Sequence, residues 1–370
     1  MKSLEFFKLN SNLFLALVAL LGIGLVQVYS SSYIFAVDTY GDGLFFFKKQ
    51  FLFSVLAIFV LFVTVKIPWA WIKNWGWVFW ILSFVLLCMT FVPGLGVRVG
   101  GAIRWINLPF GLRFEPAELL KVTFALWFAS LVHRKENFLR YMHWSVLAFL
   151  TFIPWLVLLK QPDFGTFIII ISVGYGLLYL HGLPVRYILA SFVPAIPAFY
   201  YLVMNVPYRR QRMMAFLDPW ADPAQIGFQV IQSMLSFHSG GLTGVGFGQG
   251  QGKLFFLPEA HTDFTLAVFG EELGFIGVLL LLTLYGFIIY KSLKISLATT
   301  DRFAKTMVLG LTMTFGLSVF INSGVVMGLL PTKGLTLPFL SYGGSSLLVV
   351  CFMFGLILNV EKTTSKNSYQ

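Results

Sequence analysis

Ten apolar runs follow one another along this chain, at about 12–30, 47–65, 74–92, 116–132, 143–159, 164–181, 184–204, 264–290, 306–328 and 339–360. A helix needs about 20 apolar residues to cross the hydrocarbon of a bilayer. Inside lipid every backbone N–H and C=O must be bonded within the spanning structure itself, which leaves helices and closed barrels. Runs of this length therefore predict an all-α membrane protein, a polytopic bundle of about ten transmembrane helices. A soluble fold fails on composition: 58% of the residues are hydrophobic and only 11% charged, more apolar surface than one core of this size can hide. The first run follows a short basic head, but it is long for a signal peptide and many spans follow, so it reads as an uncleaved first helix. Without repeats or low-complexity linkers, residues 1–370 read as one transmembrane domain. Cys88 and Cys351 lie inside apolar runs and suggest neither a disulfide framework nor a metal spacing.

Ten spans put both termini on one side, and short basic loops choose that side. With the N-terminus inside, the interior connections hold Lys66, Lys73, Arg134, Lys135, Arg140, Arg186, Lys291, Lys294, Arg302 and Lys305, with Lys362 and Lys366 in the tail at 361–370. Both termini are therefore expected in the cytoplasm. Much of the net charge of +11 is this signal, and no soluble domain remains that would bind nucleic acid. Arg98, Arg104, Arg113, Arg209, Arg210, Arg212, Lys253 and Lys333 break the pattern by lying outside. Cations placed there suit an anionic ligand such as a phosphate group, or simply the lipid phosphates.

Two exterior segments are long: Pro93 to Glu115, and residues 205–263 between the seventh and eighth spans. Loops of that size are usually functional. In the second, Gln229, Gln232, Ser233 and Ser236 form a polar stripe at helical spacing. Ile226, Val230, Ile231, Met234 and Leu235 form an apolar one, which fits a helix in the interface or across the bundle. Pro194 and Pro197 predict a kinked or broken seventh helix. The glycine run from Gly240 to Lys253 fails as a phosphate loop, because Phe247 and Leu254 stand at required positions. Flexible backbone is the expectation there.

Ionisable groups at membrane depth are costly and mark function by default. Glu118 and Lys121 share one face of the fourth span, either as a packing ion pair or as catalytic groups. Asp163 precedes the sixth span, where it is placed to cap a helix. Glu259, His261 and Asp263 sit where the long loop meets the eighth span, and Glu271 and Glu272 lie two turns deeper. Thr262 or Asp263 is placed to cap that span. Alternate spacing in a loop is weak evidence for a metal site, and no metal is assigned.

Six motifs in order, GGAIRWI (100–106), FEPAELLK (114–121), QPDFGT (161–166), LPEAHTDF (257–264), GEELG (270–274) and LPFLSYGGSS (337–346), resemble the SEDS family (shape, elongation, division and sporulation) over essentially the whole chain. The resemblance is greater to its division-type branch than to its elongation-type branch. It implies ten helices and a peptidoglycan glycosyltransferase acting on lipid II, a disaccharide-peptide on undecaprenyl pyrophosphate, in the bacterial inner membrane at the division septum. A class B penicillin-binding protein transpeptidase and other divisome proteins are the implied partners. Asp263, Glu118 and Lys121 match the family's essential acid and its helix-four pair. The expected substrate-binding set is Arg98, Arg104, Arg209, Arg210, Arg212, His238, Lys253, Glu259, Lys333 and Ser341. Gly250 departs from the serine that many members carry.

The implied transfer needs a base on the acceptor 4-hydroxyl, for which one carboxylate suffices. The pyrophosphate leaves without a proton, so cations replace the second carboxylic acid of glycoside hydrolysis. Magnesium or manganese is an open option among those cations. An elongation-type polymerase, a lipid II flippase or another transporter, and a non-catalytic scaffold remain as alternatives.

Overall fold

A computed structural model describes residues 11–99, 102–109, 112–134, 156–161, 163–225 and 227–367. The helices in chain order are α1 (Ser11–Tyr40), α2 (Phe45–Lys66), α3 (Trp69–Met89), α4 (Pro116–Arg134), α5 (Phe164–Leu180) and α6 (Val185–Met204). They are followed by α7 (Pro207–Leu217), α8 (Phe228–Gly240), α9 (Thr265–Ala298), α10 (Arg302–Val326) and α11 (Gly344–Asn367). Among the described residues, α1, α2, α3, α9, α10 and α11 are each long and apolar enough to cross a membrane, and α5 and the first half of α6 are shorter apolar helices. The chain is thus a polytopic helical membrane protein. The expected fifth span, 143–159, lies mostly outside the described residues.

The fourth span is less hydropathic because α4 meets protein on every side. Val122, Ala125, Leu126 and Ala129 pack into one apolar cluster with α1, α2, α9, α10 and α11. Ala117, Leu120, Phe124, Trp127 and Phe128 pack into a second, with Trp80 of α3 and Ile169 and Val173 of α5. A helix wrapped in protein can carry Glu118 and Lys121, both 6% exposed, where a lipid-facing helix cannot.

Three expectations change. The segment from Pro93 is not a plain loop but a small antiparallel sheet, β1 (Gly96–Val99), β2 (Ala102–Asn107) and β3 (Arg113–Phe114), in the order β1-β2-β3. Strand alternation puts Ala102, Arg104 and Ile106 on one face, and Ala102 and Ile106 are buried. The seventh span is not broken: α6 continues through Pro194 and Pro197. The break lies instead inside α9, at Gly274 (φ 66°).

That break explains the glycine run, which is packed rather than flexible. The backbone N–H groups of Phe275 and Ile276 donate to the carbonyls of Gly241 and Leu242. In return Val245 and Gly246 donate to the carbonyls of Glu271 and Glu272. Gly244 (φ 85°) lies so close that an added Cβ would overlap the Glu272 carbonyl. Irregular backbone at membrane depth is tolerated where protein satisfies it in this way. The polar stripe of α8 turns inward as well: Ser233, fully buried, donates to the carbonyl of Val326.

Candidate active site

One end of the bundle opens into a cavity of about 1060 Å³. Its walls come from the end of α1, the start of α2, β2 and β3, the start of α4, the α6–α7 junction, and the segments leading into α9 and α11. Seven cations line it, Lys49, Arg104, Arg113, Lys160, Arg209, Arg212 and Lys333, against four carboxylates, Glu115, Glu118, Glu259 and Asp263. The positive excess suits an anion.

Asp263 sits at the mouth of α9, in a turn whose Glu259 adopts φ 56°. The N–H groups of Thr262 and Phe264 donate to the Glu259 carbonyl, and the Thr262 hydroxyl donates to the Glu259 carboxylate at 2.7 Å. Asp263 does not cap the helix; Phe264 occupies that position without a side-chain bond. The Asp263 carbonyl instead accepts from the Asn322 amide at 3.1 Å. Burial pushes the Asp263 carboxyl up to about 7; Glu259 adds to this, while Arg212 and Arg104 oppose it. The His261 ring packs against those of Phe35, Phe46 and Tyr342. Glu259, His261 and Asp263 therefore do not converge as metal ligands, and no group of three or more His, Cys, Asp or Glu side chains does so among the described residues.

Glu118 and Lys121 form a buried ion pair at 2.7 Å. Glu118 reaches the cavity, while Lys121 lies behind it against α10 and α11. Glu115, partly open to the cavity, has its carboxyl pushed up to about 8 by burial and by the Glu118 and Asp163 charges. Asp163 caps α5 by accepting from the Thr166 N–H. Burial pulls the Lys333 ammonium down to about 8, with the Asp163 charge opposing.

Of the ten residues expected at the substrate, Arg104, Arg209, Arg212, Glu259 and Lys333 line the cavity. Arg212 donates to the Thr332 carbonyl, and Arg209 to that of Leu159 while lying over the Phe164 ring. The other five are not among the lining residues. Lys253 is buried in an ion pair with Glu272 at 2.6 Å and donates to Ser30 at 3.0 Å. Ser341 spends its hydroxyl on the Leu337 N–H. Arg98 is exposed on β1, while Arg210 on α7 and His238 near the end of α8 are exposed as well. Gly250 belongs with Lys253 rather than with the cavity: a side chain there would meet Glu271.

Lys49, Lys160 and Glu115 were not expected at the site. For Lys49 and Lys160 the signal was available, since both are cations at span ends that the charge pattern assigns to the same side as Arg104. Glu115 is different: it adjoins a proline at the start of α4, and only the fold reveals that its carboxyl shares space with Glu118, Asp163 and Arg104.

Residues 11–366 match the model of the FtsW, RodA and SpoVE family, described as cell cycle proteins. A Geobacter metallireducens relative named as a probable peptidoglycan glycosyltransferase FtsW is 40% identical over 346 residues, 93% of this chain and 92% of its own. A Saccharophagus degradans relative of the same name is 37% identical over 99% of this chain and 95% of its own. Among solved structures, a chain from work on the structural coordination of polymerization and crosslinking by a peptidoglycan synthase complex matches with a TM-score of 0.80. It shows 28% identity and covers 96% of this chain and 98% of its own. The rod shape determining protein RodA of Thermus thermophilus matches with a TM-score of 0.72 at 25% identity, covering 99% of both chains. The motifs, the helical bundle and these likenesses agree, and the chain belongs to the FtsW/RodA/SpoVE family of cell cycle proteins.

Proposed function

We propose that this chain is a division-type peptidoglycan glycosyltransferase that polymerises lipid II at the outer face of the bacterial inner membrane. Its relatives' shared name supports the enzyme class. The observation that carries the site assignment is the place of Asp263: where the long loop enters α9, its carboxyl raised to about 7, in a cavity lined by seven cations and four carboxylates. Asp263 takes the proton of the acceptor sugar's 4-hydroxyl as that oxygen attacks the donor's anomeric carbon. The bond from that carbon to the phosphate oxygen breaks, and undecaprenyl pyrophosphate departs with its electron pair. Arg104, Arg209, Arg212 and Lys333 hold the pyrophosphate and offset its charge. Glu118 and Lys121, an ion pair within α4, present Glu118 to the cavity with its charge balanced from behind. Magnesium or manganese, arriving with the pyrophosphate, would supply further positive charge, and no step is routed through it. Both termini lie in the cytoplasm, the site of action is the septum, and a class B penicillin-binding protein crosslinks the product.

The test is polymerisation of labelled lipid II in detergent by the purified full chain, within whichever assembly makes the wild type active. Asp263→Asn is expected to lose about 10³-fold in rate with its melting temperature unchanged. Wild-type glycan synthesis by folded Asp263→Asn protein would overturn the assignment.

A further inference from the structure

Gly334 is a glycine without a backbone reason. It is absent from the glycines with positive φ, unlike Gly244 and Gly274. A Cβ added to it would meet no backbone; its nearest neighbours are Arg104 Nη1 at 3.2 Å and Asp263 Oδ2 at 3.3 Å. Gly334 forms the apex of a three-residue turn, because the Leu335 N–H donates to the Lys333 carbonyl at 3.0 Å. The turn is tied directly to Asp263. Asn322, 1% exposed, uses its amide nitrogen on two carbonyls, those of Asp263 and Leu335. Both amide hydrogens are thereby committed, so one side chain sets the spacing between the catalytic carboxylate's backbone and the turn.

We infer that Gly334 is a positioning residue through the side chain it lacks: the space beside it, between Arg104 and Asp263, seats the acceptor sugar's hydroxyl. This rests on Asp263 being the base. A hydroxyl there donates to the carboxylate and accepts from the guanidinium, the polarity that proton removal requires. The charged groups acting on Asp263 are Glu259 from its own turn, Arg104 from β2 and Arg212 from α7. Lys333, next to Gly334, directs its interaction to Asp163. A methyl wedged at position 334 displaces the acceptor and pushes Arg104 and Asp263 apart.

The experiment compares Gly334→Ala and Gly334→Val with Asp263→Asn in the lipid II assay, in the assembly active for wild type. Gly286→Ala, with open space around it in α9, is the control for glycine loss. The expected result is a fall in kcat of about tenfold for alanine and more for valine, at unchanged melting temperature. The acidic limb of the Gly334→Ala pH–rate profile is expected at higher pH than in wild type, because Arg104 no longer opposes protonation as closely. A merely structural role would lower the melting temperature and leave the limb in place. Wild-type rate in Gly334→Ala, or a lost rate with an unmoved limb, overturns the inference. Active Asp263→Asn protein overturns the base assignment itself. Inactive Asp263→Asn beside fully active Gly334 variants removes only the hydroxyl seat.

Discussion

The two ends of one sequence stretch carry acids that look alike and behave differently. Glu271 and Glu272, inside α9, are 3% and 0% exposed, and both have bonding partners. Glu271 accepts from the N–H groups of Gln251 and Gly252 at 2.7 Å and 3.0 Å. Glu272 accepts from Lys253 and from the Ser30 hydroxyl of α1, both at 2.6 Å. Eight residues earlier, Asp263 is only half-buried and faces a cavity, with the opposing pull of Arg104 and Arg212. Burial alone therefore does not mark chemistry in a membrane. A buried acid paired with a cation or N–H groups of its own chain, as Glu272 is through one oxygen, holds the fold, while one left to a cavity and poised near neutrality is suited to move a proton.

The comparison breaks first at Asp263. Its isosteric Asn variant should lose about 10³-fold in polymerisation rate and keep its melting temperature, because its side chain caps no helix among the described residues. The same exchange of outcomes is expected in reverse for the deeper pair. Lys253→Met leaves the Glu272 carboxylate buried and uncompensated, a change that costs about 3–5 kcal/mol. Thermal unfolding in detergent should show a clear drop, and Lys253→Met combined with Glu272→Leu should recover much of it. If Lys253→Met instead abolished activity in a protein of wild-type stability, the division of labour along α9 would be wrong.

The hydropathy of the chain made its spans legible, and several of the arginines that broke the positive-inside pattern meet in one cavity. Arg104 was singled out in this way; Lys49 and Lys160 carry the same signal at the ends of spans and were passed over. Lys253 was misread because its charge is exterior by sequence position, yet a tertiary partner 19 residues away consumes it. The helix is continuous through the two prolines of α6 and the break appears at Gly274, since a helix breaks where a neighbouring backbone is ready to take the freed groups. Here the glycine run supplies them. Such pairing is a property of two distant segments and has no local signature. The same holds for Asn322, which reads as an ordinary residue of an apolar span until Asp263 and Leu335 are found on either side of its amide.

A pH–rate profile sharpens the account of the cavity. Asp263, raised to about 7, must be ionised to accept a proton, so rate should rise through that value. Lys333, lowered to about 8, must be protonated to hold an anion, so rate should fall above that value. The product is a narrow bell, with about a tenfold decline one pH unit beyond each limb. Lys333→Arg should remove the upper limb without moving the lower, because a guanidinium does not titrate in this range. An unchanged upper limb in that variant would show that another group, not Lys333, sets it.

The smallest effects should come from the cations that the fold leaves outside. Arg98 on β1 and Arg210 on α7 are exposed and are not among the residues lining the cavity. Exposed charges of this kind act on an anion only through solvent, where salt screens them beyond about 8–10 Å. Their alanine variants should stay within about twofold of wild type at moderate salt, and any deficit should shrink further as ionic strength rises. Arg104 works inside the cavity, where screening is weaker, so Arg104→Ala should remain defective at every salt concentration. If Arg98→Ala showed a large, salt-insensitive loss, the pyrophosphate would have to lie against the outer face of the sheet, and the cavity would be the wrong site.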